Sequence, residues 1–141
     1  MSQTFKSQAT IKFHQADPAG IMFFGHVFTL AHDTYEQFVQ ACGFQWKDWF
    51  LDHKYLIPIR HTECDFLRPF RAGETYQIEA EVIEFSSSSF VMQYQFTNQG
   101  AQHALVKMVH TCLDQKTFQK TEIPDAVRQS LSKFQRKPNH V

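Results

Sequence analysis

The stretch that decides the fold covers residues 14–36 and reads HQADPAGIMFFGHVFTLAHDTYE. Asp17 and a Pro-Ala-Gly turn come first, and the pattern of apolar residues then changes. From about Gly25, apolar side chains recur at the spacing of an amphipathic helix, which Gly43 is placed to end. This helix has about 17 residues and a length of about 25 Å, so we expect the other elements to be arranged around it. Its apolar stripe contains Val27, Phe28, Ala31, Tyr35, Phe38, Val39 and Cys42, and Leu30 lies off the stripe.

Apolar and polar residues alternate on both sides of this helix, which is the period-two pattern of β-strands. Pro58 predicts an edge or a bulge within one strand, Ser86–Ser89 predict a hairpin connection, and a short helix is expected after Pro124. One antiparallel sheet curved around one long helix, an α+β fold, is the simplest arrangement of these elements. Such a sheet leaves a face or an edge uncovered, so we expect a homo-oligomer. The predicted strands are Ala9–His14, Leu56–Arg68, Thr75–Phe85, Phe90–Phe96 and Ala104–Leu113.

The composition indicates one globular domain over residues 1–141, with an ordered core over about residues 8–134. Lys plus Arg number 14 and Asp plus Glu number 14, so the chain has no charge excess that would favour nucleic acid or an anionic membrane. Three separated cysteines, no signal-peptide pattern and no apolar run of about 18 residues predict a cytoplasmic protein. We expect no cofactor.

An acid and a helix N-terminus lie close together in the sequence. Phe24 and Gly25 stand where the long helix begins, and free N–H groups at a helix start can bind an anion or an oxyanion. Asp17 supplies a carboxylate on the other side of the turn, so two of the parts that acyl hydrolysis needs are present. By residue type alone, however, an Asp before a Pro-Gly turn is most often a cap or turn residue.

The groups that are absent narrow the possible substrate. The sequence contains no GxSxG motif, and no cysteine lies beside a histidine in this stretch. An amide or an alkyl ester would usually need a general acid for its leaving group. A thiol has a pKa of about 8.5 and leaves readily as thiolate, so a single carboxylate can suffice for a thioester.

Residues 13–25, FHQADPAGIMFFG, resemble the signature of hot-dog-fold acyl-CoA thioesterases, in particular the D-x-D-x-A-G-I/V-x-Y/F motif of the 4-hydroxybenzoyl-CoA thioesterase family. Residues 32–36 and 57–66 are similar to the 1,4-dihydroxy-2-naphthoyl-CoA thioesterase branch, and the resemblance covers about residues 8–120. It implies a five-stranded sheet around one central helix and an acyl-CoA substrate, with an aromatic acyl group favoured. It also implies a homodimer or homotetramer whose active site lies at the dimer interface.

The resemblance also implies roles for individual residues. Asp17 matches the catalytic carboxylate, as nucleophile or general base, and the backbone N–H of Phe24, with Gly25 beside it, matches the group that polarises the thioester carbonyl. Glu36 is a reserve candidate, because a second branch of hot-dog thioesterases places its carboxylate on the central helix. The residues expected to contact the substrate are Gly20, His26, His32 and Glu36.

Two positions depart from the family pattern. Gln15 stands where many members have a second acid, which should change the environment of Asp17 more than its role. Ser86, Ser87 and Ser88 stand where the hydroxybenzoyl-type members have basic residues that meet the CoA phosphates. The candidates for CoA binding are therefore Ser87, Ser88 and Arg60, with Lys133 and Arg136 as alternatives.

Other polar and aromatic groups have ordinary interpretations. His61, Glu63 and Asp65 share one face of a strand, but no second set of ligands accompanies them, so we expect surface or interface groups and no metal site. Asp33 lies opposite the apolar stripe and is expected to face solvent. The aromatic residues that either cover an acyl pocket or pack in the core are Phe44, Trp46, Trp49 and Phe50.

Two further functions stay open at this point. A hot-dog dehydratase would need a histidine with a carboxylate at the site, where this chain has Asp17. A non-catalytic domain that binds acyl-CoA or an acyl carrier is an alternative from another class.

Overall fold

One face of a five-stranded antiparallel sheet packs against a single long helix in the computed structural model, which describes residues 3–51 and 55–137. In chain order the elements are β1 (Phe5–Thr10), α1 (His26–Ala41), α2 (Trp46–Phe50), β2 (Tyr55–Leu56), β3 (Ile59–Phe66), β4 (Thr75–Phe85), β5 (Ser89–Asn98), β6 (Ala101–Thr111), β7 (Leu113–Asp114) and α3 (Asp125–Leu131). The strand order in the sheet is β1-β4-β5-β6-β3, and β2 pairs with β7 in a separate ribbon. The expected α+β arrangement is confirmed.

The helix α1 is the central helix that the sequence predicts, and its 16 residues agree with the expected length. It begins after Gly25 and ends before Gly43, whose φ of +102° is a left-handed conformation that suits glycine. Leu30 and Thr34 are buried outside the predicted stripe, so a second face of α1 is covered as well. No helix within the described ranges is long and apolar enough to cross a membrane. The buried residues of α1 are Val27, Leu30, Ala31, Thr34, Tyr35, Phe38 and Val39.

Alternate residues of β4 and β5 form the inner face of the sheet, as the period-two pattern predicts. The connection between these strands is the expected serine hairpin, closed by a hydrogen bond from the Ser86 N–H to the Ser89 carbonyl at 2.8 Å. Burial of each large apolar side chain contributes roughly 1.5–3 kcal/mol, so these rows and α1 are the main source of stability. The inner residues, none more than 1% exposed, are Tyr76, Ile78, Ala80, Val82, Phe90, Met92, Tyr94 and Phe96.

The predicted strand Leu56–Arg68 is divided into two strands, so its prediction as one element is wrong. Pro58 lies between β2 and β3, and the pairing of β3 with β6 shifts register between Ile59 and His61, as an edge or bulge at this proline predicts. The strands β4, β5 and β6 form a meander, in which each strand pairs with the next one along the chain. The strand β3 pairs with β6 at the far edge of the sheet, and the connection over residues 67–74 carries the chain back to β4.

Both ends of the chain contain more regular structure than the sequence predicts. The first strand begins at Phe5 instead of Ala9. From Phe5 onward the backbone pairs with β4, and the side chains alternate in burial. Phe13 is 94% exposed in a 3-10 turn that follows β1. The predicted ordered core ends near residue 134, but the Arg136 N–H donates to the Val82 carbonyl at 2.7 Å. Residues 138–141, which the prediction also leaves outside the core, are not among the described residues. The Arg136 guanidinium also forms an ion pair with the buried Glu81.

His110 is the most unusual polar group in the core. Its ring stacks on Tyr35 and Phe90, with centroids 4.4 and 4.9 Å apart, and the residue is only 1% exposed. Neither ring nitrogen has a hydrogen-bond partner among the residues that the structure describes. Burial lowers the pKa of His110 to about 3. The backbone of Ile57 acts in the opposite direction, and the nearby His32 lowers the pKa further.

The buried neutral His110 makes stability depend on pH. Between pH values of about 6.5 and about 3, the unfolded chain binds a proton at this position and the folded chain does not. The free energy of unfolding should therefore fall as the pH drops below about 6.5, by up to about 1.4 kcal/mol per pH unit from this group. We expect His110→Phe to lose less stability than the wild type between pH 7 and pH 5 in urea denaturation.

A matched control is His14→Gln, which changes an exposed histidine. This variant should keep the pH dependence of the wild type. If His110→Phe and the wild type lose stability equally on acidification, the proposed effect of His110 is wrong.

Candidate active site

Residues 15–23 form a small hairpin between β1 and α1, and this hairpin carries Asp17. The Phe23 N–H donates to the Gln15 carbonyl at 2.9 Å, and the Asp17 N–H donates to the Ile21 carbonyl at 2.8 Å. The chain thus reverses direction at the Pro-Ala-Gly turn and returns to the start of α1. As a result, this one short hairpin connects the Asp17 turn to the N-terminus of α1, with Gln15 and Phe23 paired at its base.

Gly20 closes the turn of this hairpin. Its φ of +78° lies in the left-handed region, which a side chain rarely adopts, and its N–H donates to the Asp17 carbonyl at 2.9 Å. The Gly20 carbonyl accepts a hydrogen bond from the Ala72 N–H at 3.0 Å, and the Met22 N–H donates to the Phe70 carbonyl at 2.8 Å. The hairpin is therefore fastened to the segment that precedes β4.

The carboxylate of Asp17 has one oxygen engaged in the turn and one oxygen free. Oδ1 accepts hydrogen bonds from the N–H groups of Ala19 at 2.9 Å and Ile21 at 3.3 Å. This is the turn role that residue type alone predicts. Oδ2 has no partner among the described residues, and the side chain is exposed. The turn holds the carboxylate in place and leaves one oxygen available for chemistry.

The start of α1 offers two adjacent backbone donors. The N–H groups of Phe24 and Gly25 have no acceptor within residues 3–51 and 55–137, whereas those of His26 and Val27 donate to the carbonyls of Phe23 and Phe24. The first turn of α1 contains no acidic residue. Two free N–H groups at the positive end of a helix dipole form a site for an anion or an oxyanion.

Gly25 contributes space at this point rather than backbone freedom. Its φ of −63° is accessible to any residue. A Cβ atom added there would come within 3.0 Å of the Phe23 ring. The next residue, His26, is half-buried, and its ring packs edge-on against Phe23 at 5.9 Å between centroids. The two rings thus border the free donors.

A cavity of about 290 Å³ adjoins the start of α1. Ile21 and Met22 of the hairpin, Phe24, and residues 66–70 line it. Asp17 is not one of the lining residues, although Ile21 is its partner across the hairpin. Phe24 is 60% exposed. The cavity therefore provides an apolar surface beside the two free N–H groups.

His32 and Glu36 form a second group farther along α1. Glu36 accepts hydrogen bonds from Nδ1 of His32 at 3.1 Å and from the indole Nε1 of Trp46 at 2.6 Å. A separate cavity of about 380 Å³ lies between this part of α1 and β3. Asp33 is exposed, as expected, and lies at the wall of this second cavity.

The aromatic residues after α1 fasten α2 onto it. Trp46 donates to Glu36, and Trp49 donates from its indole Nε1 to the Tyr35 hydroxyl at 3.1 Å. The Phe44 ring packs against Trp49 at 4.9 Å between centroids. The sequence left open whether these side chains line a pocket or pack in the core. Phe44 and Trp49 do both, since they pack against the core and line a cavity of about 160 Å³ between α2 and α3. Phe50 packs against the core, and Trp46 belongs to the polar group with Glu36.

The residues expected to bind CoA lie in a third place. The carbonyls of Ser87 and Ser88 accept hydrogen bonds from Ile123 at 2.9 Å and Cys112 at 2.7 Å, which ties the hairpin to the chain beyond β6. Arg60 lines a cavity of about 220 Å³ near this hairpin. Val91 and Val109 line the same cavity and alternate with the buried inner residues of β5 and β6, so Arg60 lies on the outer face of the sheet.

Sequence reasoning missed Arg128 of α3. Its guanidinium donates to the Ser86 carbonyl at 2.6 Å and lies over the Phe85 ring at 5.1 Å. No sequence signal connects these residues, because they are 42 positions apart. Arg136, an alternative for CoA binding, is instead paired with Glu81. The Trp46–Glu36 bond was also missed, since it depends on how the chain folds back after α1.

A sequence profile described as the thioesterase-like superfamily matches residues 11–131. The chain belongs to this thioesterase-like superfamily. The predicted hot-dog fold and the prediction of an enzyme that hydrolyses thioesters are thereby confirmed.

Several similar proteins accompany this superfamily match. A 1,4-dihydroxy-2-naphthoyl-CoA hydrolase from Synechococcus elongatus is 27% identical over 128 residues, which cover 90% of this chain and 94% of that protein. The protein of the same name from Rippkaea orientalis is 30% identical over 125 residues, with 86% and 91% covered.

Two solved structures of thioesterases share the fold. A 1,4-dihydroxy-2-naphthoyl-CoA thioesterase from Synechocystis has a TM-score of 0.83 at 18% identity, with 92% of this chain and 96% of that chain covered. A gentisyl-coenzyme A thioesterase has a TM-score of 0.78 at 23% identity, with 90% and 98% covered.

The hydrogen bonds of Asp17 predict different effects for two substitutions. Asp17→Ala removes the acceptor for the N–H groups of Ala19 and Ile21, so we expect the free energy of unfolding to fall by about 1–2 kcal/mol. Asp17→Asn retains a side-chain oxygen for the turn and should cost less. Urea denaturation of both variants measures this difference, and an Asp17→Ala variant as stable as the wild type would contradict the turn role.

Proposed function

We propose that this protein is an acyl-CoA thioesterase that acts on aromatic acyl-CoA substrates. The observation that carries the proposal is the pair of free N–H groups at Phe24 and Gly25, which the hairpin of residues 15–23 connects to the turn-held carboxylate of Asp17. The names of the similar proteins, which refer to naphthoyl and gentisyl esters of coenzyme A, support an aromatic acyl group.

The free N–H of Phe24 polarises the thioester carbonyl. The carbonyl oxygen gains negative charge in the tetrahedral intermediate, and donors that are already oriented at a helix N-terminus stabilise that charge without reorganisation. Gly25 supplies the neighbouring donor and leaves room for the ligand. Gly20, in the turn after Asp17, and His26, whose ring lies beside Phe23, are proposed as further substrate contacts.

Asp17 supplies the attacking group through Oδ2. As a nucleophile, this oxygen forms a bond to the carbonyl carbon, the C–S bond breaks, and coenzyme A leaves as thiolate. Water then opens the resulting anhydride. As a general base, the same oxygen takes a proton from water while the water oxygen bonds to the carbonyl carbon; the C–S bond then breaks and coenzyme A leaves as thiolate. Neither route needs a general acid, because the thiolate is a good leaving group.

Gln15 stands where many family members have a second acid, and its side chain has a local structural role instead. The Gln15 side-chain oxygen accepts a hydrogen bond from the Lys12 N–H at 2.8 Å, within the 3-10 turn. The Gln15 side chain is thereby engaged with the turn that precedes the hairpin, while its carbonyl accepts the hydrogen bond from Phe23 at the base of the hairpin. We infer that Asp17 acts without a second acid beside it.

We propose that two protomers associate through β3 and that the active site lies at this interface. Among the residues that the structure describes, β3 pairs with β6 alone, so its other edge carries unpaired backbone groups. Its ends carry exposed apolar side chains, with Ile59 37% and Phe66 45% exposed. Phe66 also lines the cavity beside Phe24, which connects the interface with the site. Two such dimers would form the homotetramer.

The CoA moiety is proposed to contact Arg60, Ser87 and Ser88. The Arg60 guanidinium has no carboxylate partner among the described residues, so it is available for a phosphate. The hydroxyls of Ser87 and Ser88 are likewise unpaired within those residues, while their carbonyls hold the hairpin in place. Arg128 also holds this hairpin in place by donating a hydrogen bond to the Ser86 carbonyl.

The catalytic role of Asp17 predicts a large loss of rate in Asp17→Asn. Asparagine keeps the turn but supplies neither a nucleophilic carboxylate nor a base, so turnover should fall by about 10²–10⁴ while the protein remains folded. The measurement is free-thiol release from a panel of aromatic and straight-chain acyl-CoA compounds, with circular dichroism as the test of folding.

Asp125→Asn is the matched control, because Asp125 is an exposed acid at the start of α3. It should leave turnover unchanged. An unaltered rate in Asp17→Asn would end the assignment of Asp17. Binding of acyl-CoA without thiol release by the wild type would indicate a binding domain instead, and hydration of a double bond would indicate a dehydratase.

The proposed interface predicts that a charge on β3 separates the protomers. Phe66→Lys places a cation at the exposed end of the edge strand and should shift the protein toward monomer in sedimentation velocity experiments. Phe118→Lys is the control, since Phe118 is 65% exposed in the turn after β7. A wild-type protein that sediments as a monomer would contradict the proposed interface.

A further inference from the structure

The cavity of about 160 Å³ between α2 and α3 has three aromatic side chains in its wall. Phe44 comes from the segment before α2, Trp49 from α2 and Tyr55 from β2. All three are half-buried against the core, which leaves part of each ring exposed to the cavity. The remaining wall includes Pro124 and Val127 of the segment that forms α3. The cavity is therefore mainly aromatic and apolar.

The rings of Phe44 and Trp49 border the cavity at an angle to each other. Their centroids are 4.9 Å apart and their planes are inclined by 52°. The indole N–H of Trp49 donates to the Tyr35 hydroxyl at 3.1 Å, so this donor is already engaged. Trp49 thus offers a ligand the surface of its ring rather than a hydrogen bond. The faces of aromatic rings carry partial negative charge and attract cations, most strongly where water is excluded.

Asp48 adds a full negative charge to this aromatic wall. Among the described residues that line the cavity, it is the only charged one. Its side chain is exposed and has no hydrogen bond or ion pair within residues 3–51 and 55–137. The wall therefore combines ring surfaces with one unpaired carboxylate, and the described lining supplies no cation to balance it. This charge distribution favours a cationic ligand over a neutral or an anionic one.

The size and the polarity of the cavity restrict which cation it suits. A cavity of about 150 Å³ is large enough to bind benzene, so this one holds a single small group. A primary ammonium carries three N–H donors that each need an acceptor, and Asp48 is the one carboxylate in the described wall. A quaternary ammonium has no N–H donor and presents its charge through methyl groups, which pack on aromatic rings.

This cavity is remote from the proposed active site. Phe24 precedes the first residues of α1 and Phe44 follows its end, and the 16 residues of α1 span about 24 Å. The cavity also shares no described lining residue with the cavity beside His32 and Glu36. A ligand between α2 and α3 would therefore occupy a second, separate site.

We propose that the cavity between α2 and α3 binds a small quaternary ammonium ligand. Its methyl groups contact the rings of Phe44, Trp49 and Tyr55, and the Asp48 carboxylate balances its charge. Binding at this site uses neither Asp17 nor the free N–H groups of α1, so it goes beyond the proposed hydrolysis of thioesters and does not depend on it.

The experiment compares choline with its neutral analogue 3,3-dimethyl-1-butanol, in which a carbon atom replaces the charged nitrogen. The two molecules have nearly the same shape, so the ratio of their dissociation constants isolates the effect of the charge. Isothermal titration calorimetry on the whole chain should show choline binding at least about tenfold more tightly. The methyl protons of bound choline should also shift upfield in NMR spectra, because they lie against aromatic rings.

Two substitutions test the parts of the site separately. Asp48→Asn keeps the size of an exposed side chain but removes its charge, and it should weaken choline binding by about threefold or more. Phe44→Leu keeps apolar contact but removes one aromatic ring, and it should weaken choline binding by about threefold to tenfold. Neither change should alter the affinity for the neutral alcohol by a comparable factor. Asp48→Asn still tests the site where Phe44→Leu fails to fold.

Asp33→Asn is the matched control, because Asp33 is an exposed acid in the wall of the cavity beside Glu36. This variant should bind choline as the wild type does. Equal affinities for choline and the alcohol, or no binding of choline at millimolar concentrations, would overturn the proposal. Choline binding that is weakened in Asp33→Asn and unchanged in Asp48→Asn would assign the cation to the other cavity and would also overturn it.

Discussion

The burial of α1 against the concave face of the sheet is the constraint on which the rest of the structure depends. Tyr35 and Phe38 are essentially inaccessible, and they meet equally buried rows from β4 and β5. Close packing of this kind allows little sliding or rotation, since a small displacement would open cavities that cost several kcal/mol. The axial position and the rotation of α1 are therefore fixed together.

A fixed helix determines the placement of two different kinds of group. Its N-terminus holds the N–H groups of Phe24 and Gly25 in one position, where the fold leaves them without acceptors within the described residues. Its less buried face carries His32 and Glu36 toward the space beside β3. The same packing that stabilises the domain thus fixes the positions of the free N–H groups and of the His32–Glu36 pair.

The surroundings of α1 were only partly predictable. The spacing of apolar residues located α1 and the inner rows of β4 and β5, and the run of serines between those strands located the hairpin. Each of these signals is local in the sequence. The boundaries of the edge strands were predicted less well. The strand β1 begins at Phe5 because its backbone pairs with β4 from that residue onward. Pro58 divides residues 56–68 into two strands, although apolar and polar residues alternate through most of that stretch. These boundaries depend on the neighbouring strand, which a local pattern does not contain.

For this protein, the sequence by itself determined the helix, the turn with its left-handed Gly20, the thioesterase-like motif around Asp17 and the absence of a charge excess, since all of these depend on residues close together in the chain. Only the tertiary structure decided that Trp46 would bind Glu36, that Arg60 would lie on the outer face, and that His110 would be enclosed by Tyr35 and Phe90. Each of these contacts joins segments whose relative position is set by the packing of α1 on the sheet. Packing depends on the shape of the whole core, so no single stretch of sequence encodes it.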